Sequence, residues 1–182
     1  MTLIEIMIVV GLIGIGSAVA MWKIDIAHYQ VMGDMQGIGS LFIAAQRQAV
    51  SHQYNMILTF DTTMHVIHVI SDANNNGVQD PGEHETAYAL GDRVRFSLGA
   101  APVGDVGAGP VTFTQTVNGL PSLTFFRNGA ANQAGGIYIT SVREAESNDP
   151  AWAFETHLIE VSRATGHADW WVYNGTQWVR GF

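Results

Sequence analysis

Cysteine is absent from the 182 residues. That removes thiol nucleophiles, thiolate metal sites and disulfides, so any stapling of the fold must come from elsewhere. Lysine occurs once, at Lys23, and sixteen acidic residues outnumber eight basic ones, for a net charge of −8 and a pI near 5.1. A surface of that sign repels phosphate backbones, which argues against nucleic acid as the main ligand. There is no phosphate loop and no dinucleotide fingerprint. Ser141 and Ser162 have no nucleophile-elbow context, and Asp149, Glu155 and Glu160 show no spacing that suggests paired acid–base work, so catalysis is not expected.

Charge is scarcest at the start. From Thr2 to Trp22 the only ionisable side chain is Glu5. About 20 apolar residues rising ~1.5 Å each would cross a hydrocarbon core of ~30 Å. A carboxylate in such a segment costs on the order of 3 kcal/mol at mid-membrane, so it calls for a partner. No Lys, Arg or His lies nearby in sequence, which leaves a free α-amine at Met1, on this copy or on a neighbouring one. A secretory signal peptide would need a basic n-region and a small-residue cleavage site, and neither is present. A plain membrane anchor would leave Glu5 unexplained. Lys23 alone would place the body in the cytoplasm by charge bias; with a basic leader removed, the body is expected to face outwards.

Met1-Thr2-Leu3-Ile4-Glu5, continuing through Ile6-Met7-Ile8-Val9-Val10, resembles the mature start of type IV pilins and of type II secretion pseudopilins. The resemblance implies a leader ending in Gly and cut by a prepilin peptidase before Met1, N-methylation of Met1, and pairing of Glu5 with the terminal amine of the adjacent subunit. It also implies residence in a bacterial inner membrane before assembly, then a periplasmic or extracellular filament. Met replaces the commoner Phe at position 1, and Trp22 stands where many pilins have Pro, which bears on the usual helix kink. The lack of cysteine removes the disulfide-closed loop that many pilins carry.

From Ile24 apolar residues recur at three- and four-residue spacing: Ile24, Val31, Ile38 and Ala45 on one row, Met35, Phe42 and Ala49 on the next, with His28 the polar occupant of the second. That is an amphipathic stripe with one face for the globular body. The expected helix runs from Thr2 to His52, with an interruption near Gly11–Gly16; the glycines at 11, 14, 16, 33, 37 and 39 suit close helix packing in a filament core. Residues 1–22 are assigned to a transmembrane or filament-core half, 23–53 to an amphipathic half and 54–182 to a β domain. Beyond Asn55 the period becomes two, with strands expected at 56–60, 64–70, 86–90, 93–98, 111–116, 123–127, 137–142, 157–162 and 169–173. Asn174-Gly175 reads as a two-residue hairpin turn, and Gly99–Pro110 as a mobile, exposed loop. The fold class is α+β: a long N-terminal helix packed on an antiparallel β domain. Ala44–Val50 running into a strand, Leu123–Gly129, and a late strand into Thr165-Gly166 together resemble the GspH/FimT type of minor pilin.

One segment carries site chemistry. Asp72, Asn74, Asn76, Gly77, Val78, Asp80 and Glu83 match a twelve-residue calcium loop, in which oxygens from alternate residues, one backbone carbonyl and a closing bidentate Glu surround a hard cation. Strands, not helices, are expected on either side, so the loop is read as a structural Ca²⁺ clip, and its competitor is a polar turn without metal. His65 and His68, three apart on a strand, would point to opposite faces. Trp170, Trp171 and Trp178 read as core or interface anchors. The functional expectation is a structural pilin-like subunit, alone or co-assembled with other pilins. The alternative is a membrane-tethered, calcium-stabilised binding or adhesion module.

Overall fold

The computed structural model describes residues 2–21 and 26–181. Met1, Trp22 and Lys23, on which the leader, methylation and kink expectations rest, lie outside the described residues. Helix α1 (Leu3–Met21) runs unbroken past Gly11 and Gly14. The expected interruption is therefore absent; at up to about 1 kcal/mol each, the glycines do not outweigh the helix-forming residues between them. Its large apolar side chains from Leu3 to Ile15 are 52–79% exposed, uncovered by the rest of the chain. Among the described residues no helix is long and apolar enough to cross a membrane; the 19 residues of α1 rise about 28 Å, just under a hydrocarbon core. The span expected over 1–22 is thus not completed by the described residues.

Helix α2 (Ile26–His52) leads into β1 (Asn55–Asp61). There follow β2 (Val66–Asp72), β3 (Glu85–Ala89), β4 (Val94–Phe96), β5 (Thr116–Val117), β6 (Leu120–Phe125), β7 (Gly135–Ser141), α3 (Val142–Ser147), a 3₁₀ turn (Pro150–Glu155), β8 (His157–Val161), β9 (Ala168–Tyr173) and β10 (Trp178–Arg180). They form two sheets in the orders β3-β2-β1-β6-β5 and β10-β9-β8-β7-β4, and all neighbouring strands are antiparallel. The fold is α+β, a helix docked on antiparallel sheets.

The docking surface of α2 is the row Val31, Met35, Ile38, Phe42, Ala45 and Ala49, all buried, in one cluster with residues of both sheets such as Phe60, Phe125, Ile139 and Ile159. Phe42 meets Phe60 and Phe125 edge-on, at 6.2 and 6.1 Å between centroids. Gly37 and Gly39 serve this same contact: a Cβ at Gly37 would lie 2.1 Å from the Tyr88 hydroxyl, and one at Gly39 2.3 Å from the Trp170 ring. These two glycines thus have a use inside the subunit, by admitting aromatic rings of the body. Near its end α2 presents Gln46, whose amide donates to the carbonyls of Gly129 and Thr165, each at 2.7 Å. The three separate segments behind the minor-pilin resemblance therefore meet at one side chain.

The strands differ from expectation where side chains capture backbone amides. Asp61 Oδ1 accepts from Thr63 and Met64, at 2.8 Å each, and His65 has φ 55°, so β2 starts at Val66 rather than at 64. Gln133 Oε1 accepts from the Thr114 amide and hydroxyl, so the strand expected over 111–116 shrinks to a bridge at Val111 and the two residues of β5. Asn174 Oδ1 accepts from Thr176 and Gln177, which opens the expected two-residue turn into a longer loop, with Tyr173 opposite Trp178. The two-residue turn is made instead by Asn118-Gly119 (φ 54° and 77°) between Val117 and Leu120. Ser141 accepts from the Glu144 amide to cap α3, and Asp149 caps the Pro150 turn; both are start signals present in the sequence, in a stretch for which no helix was expected.

Where β8 faces the start of α2, His157 is 1% exposed and neither ring nitrogen has a hydrogen bond. His28 Nδ1 is likewise unpaired. Burial, then the positive charge His28 can carry, lowers His157 to about 4. Its folded pKa thus lies below the ordinary 6.5, the unfolded chain binds the proton more readily, and stability is lost as pH falls from about 6.5 towards 4. The expected loss is about 3 kcal/mol, read by urea unfolding of the full chain in neutral detergent; His157→Leu should flatten the slope in this window. In the same assay Gly39→Ala should destabilise by about 1–3 kcal/mol through overpacking. Gly33→Ala, with nothing within 4 Å of its new Cβ, should stabilise by up to about 1 kcal/mol.

Candidate functional site

The loop from Ala73 to His84 joins β2 to β3, its base closed by the Ser71 amide donating to the His84 carbonyl at 2.9 Å. Asp72, at the buried end of β2, holds the turn from inside: Oδ1 accepts from the Asn76 amide at 3.0 Å and Oδ2 from Gly77 at 2.9 Å. Gly77 has φ 79°, the left-handed conformation that a glycine adopts without strain. Glu83 reaches back to the front of the loop, Oε1 accepting from Ala73 at 3.0 Å and Oε2 from Asp80 at 3.0 Å. The Nδ2 groups of Asn74 and Asn76 both donate to Asp80 Oδ2, at 2.7 and 2.6 Å. Their oxygens accept from the Asn76 and Val78 amides.

The site residues expected from the sequence are therefore linked through one loop: Asn74, Asn76 and Asp80 touch directly, while Asp72 and Glu83 are tied to its backbone at opposite ends. Among the described residues no group of three His, Cys, Asp or Glu side chains is assembled that could hold a metal ion. The donor chemistry still suits a hard cation, since every candidate ligand is an oxygen. In the arrangement seen, the amide oxygens serve backbone N–H groups and the Asp80 carboxylate is met by amide nitrogens. Ca²⁺ would need Asn74 and Asn76 to rotate their amides so that oxygens replace nitrogens at the centre. The loop is also braced from outside by Asn55, whose amide donates to Asn75 Oδ1 at 2.8 Å, and by Gln79, which bridges Glu85 and Asn118. The bond from Gln79, then that from His68, holds Glu85 below the usual carboxylate range. His68 lies on β2, whereas His65 sits in the preceding turn.

Glu5 has a partner at the start of its own helix, three residues upstream. Its Oε2 accepts from the Thr2 amide at 2.7 Å and lies 3.3 Å from the Thr2 hydroxyl, while the Glu5 amide donates to the Thr2 carbonyl. Thr2-x-x-Glu5 is the reciprocal half of a capping box. Glu5 thus has a local structural role at the helix start that requires no remote cation.

Elsewhere the fold brings together residues that sequence spacing kept apart. Ser141 donates to Glu155, which also receives Arg143. Ser141 and Glu155 are fully buried, so neither is open to a substrate. Burial above all raises Glu144, whose Oε1 accepts from Ala100 at 2.6 Å. The Gly99–Pro110 loop is anchored rather than free: besides Glu144, Tyr138 accepts from Gly104 and donates to the Gly107 carbonyl, both at 2.9 Å, and Trp178 donates to Pro102 at 3.0 Å. Trp170 packs on the core beneath α2, while Trp171 and Trp178 stand in a cleft beside this loop.

No family model matches the chain, and no curated protein matches it. Among solved structures it is similar to the minor pseudopilin EpsH from the type 2 secretion system of Vibrio cholerae, with 7% identity over 81% of this chain and 99% of that one, at a TM-score of 0.49.

Proposed function

We propose that the chain is a pilin-like structural subunit, not an enzyme, that assembles through α1 into a type IV pilus or a secretion pseudopilus. The observation that carries this reading is the exposure of the apolar side chains of α1 from Leu3 to Ile15, headed by Thr2-Leu3-Ile4-Glu5 as in that family. A helix so apolar on every side is stable in lipid or among like helices, not in water. It waits in the inner membrane, is processed there by a prepilin peptidase, and passes with the assembly machinery into a periplasmic or extracellular filament. There it packs against copies of itself or against other pilins. In the free subunit Glu5 caps the helix; in the filament it would also meet the methylated terminal amine of Met1 on its neighbour, which sets axial register. A carboxylate left unpaired in that core would cost roughly 3–5 kcal/mol.

Glu5→Gln separates the two roles, because Gln at that position keeps a capping box while the charge is lost. In cells expressing the chain with a pilus assembly apparatus, Glu5→Gln and Glu5→Ala should both stay in the membrane fraction and yield few fibres by negative-stain microscopy. Wild-type fibre yield from Glu5→Gln would overturn the charge pairing.

The second part of the proposal is a structural Ca²⁺ clip at Asp72, Asn74, Asn76, the Val78 carbonyl, Asp80 and Glu83. It would fasten β2 to β3 in a chain that has no disulfide. Its ligands are three carboxylates, two side-chain amides and one backbone carbonyl, an oxygen set of the kind that suits extracellular calcium concentrations. Calcium at 100 times its dissociation constant would add about 2.7 kcal/mol to stability. The full chain in neutral detergent should melt several degrees higher in calcium than in EGTA, and Glu83→Gln should remove most of that difference. Coincident melting curves for the wild type would reduce the loop to a hydrogen-bonded turn. A membrane-tethered adhesion module would share the clip but remain free of fibres in the microscopy above.

A further inference from the structure

The outer face of the second sheet, away from α2, carries a cleft that neither the filament nor the calcium loop uses. Leu158, Trp171, Trp178, Asp105 and Glu160 line it, in a volume of about 200 Å³. Cross-strand register builds it: Leu158 lies opposite Trp171, and Tyr173 opposite Trp178. The anchored Gly99–Pro110 loop supplies the remaining wall, tied down by the Tyr138 hydroxyl and by Trp178.

The charge balance of this face is uneven. Asp169 stands opposite Glu160 on the neighbouring strand, and its charge is met by Arg180 and, when protonated, by His167 at 3.7 Å. Asp105 and Glu160 have no ion-pair partner among the described residues. Glu160 accepts one hydrogen bond, from Trp171 Nε1 at 3.1 Å, which aims the carboxylate along the indole edge. Burial first, and then the negative charges of Asp105 and Glu160, raise the Tyr138 hydroxyl against the opposing effect of its Gly104 bond; both acids therefore act on the same small volume. Aromatic faces beside unpaired carboxylates are the surroundings that attract an organic cation. The cleft is smaller than the ~300–1,000 Å³ of sites that enclose a whole small molecule, but it accommodates one long side chain, with methylenes on Leu158 and the indoles and the charged head beside the carboxylates.

We propose that this cleft receives a basic side chain, lysine or arginine, presented by a protein partner, with Trp171 and Trp178 contacting its stem and Asp105 and Glu160 its charge. The assignment is independent of whether the chain forms filaments.

Nuclear magnetic resonance of the ¹⁵N-labelled indoles in the full chain, in neutral detergent at low salt, tests it. Lysine and arginine capped at both ends should shift the Trp171 and Trp178 signals saturably, with a dissociation constant on the order of 1 mM. Capped Nε-acetyl-lysine and capped citrulline, similar in shape and uncharged, should not. Asp105→Asn with Glu160→Gln keeps the side-chain shapes and should weaken binding about tenfold or more, with unchanged Trp170 and Trp152 signals reporting an intact fold. Equal shifts from the neutral analogues, or equal binding by the double variant, would overturn the proposal. Saturation by tetramethylammonium but not by the capped amino acids would overturn the assignment to a protein side chain in favour of a free quaternary amine.

Discussion

The row of six side chains from Val31 to Ala49 on α2 is the contact on which the rest of the structure depends. It touches both sheets, and the cluster it completes holds most of the large buried residues. Each such side chain contributes roughly 1.5–3 kcal/mol by leaving water, and without cysteine no covalent link replaces that contribution. The fit is steric as much as hydrophobic, because Tyr88 and Trp170 lie where Cβ atoms at Gly37 and Gly39 would stand. Helix packing against the sheets and the position of the helix start, where the charge of His28 acts on His157, are therefore parts of one interface.

The two helices of the chain meet opposite conditions. α2 has one apolar stripe and buries it within the subunit; α1 is apolar all round, and its side chains from Leu3 to Ile15 stay exposed. An amphipathic helix can complete a fold by itself, while a uniformly apolar one needs a second phase, either lipid or other helices. Thr2 and Glu5 fit both settings, since a capping carboxylate satisfies an amide at the helix start and still offers negative charge to a neighbour.

Polar groups elsewhere are arranged to close irregular chain. Asp61, Asn174 and Gln133 each take backbone amides that a sheet ladder would otherwise use, and the calcium-like loop does the same on a larger scale through Asp72 and Glu83. Such side chains decide where strands stop. In the loop they also make a turn that is hydrogen-bonded without metal, so calcium would act by exchanging N–H donors for itself rather than by ordering a slack segment.

The helical row on α2, the change to period two after Asn55 and the presence of a polar turn between two strands at the calcium-like loop were legible in the residues themselves, because spacing along the chain dictates which side chains share a face. The caps at Ser141 and Asp149 and the turn at Asn118-Gly119 are equally local, set by short patterns of known geometry. What the linear order could not express is contact between distant segments: Gln46 gathering Gly129 and Thr165, Glu155 meeting Ser141 and Arg143, the Gly99–Pro110 loop pinned by Tyr138 and Trp178, and Asp105 brought beside Glu160. Local pattern sets which elements form and which faces are greasy. Which loops are held, which acids lose their partners and which glycines face an aromatic ring depend on distances between strands far apart in sequence, and those exist only once α2 and the two sheets have packed.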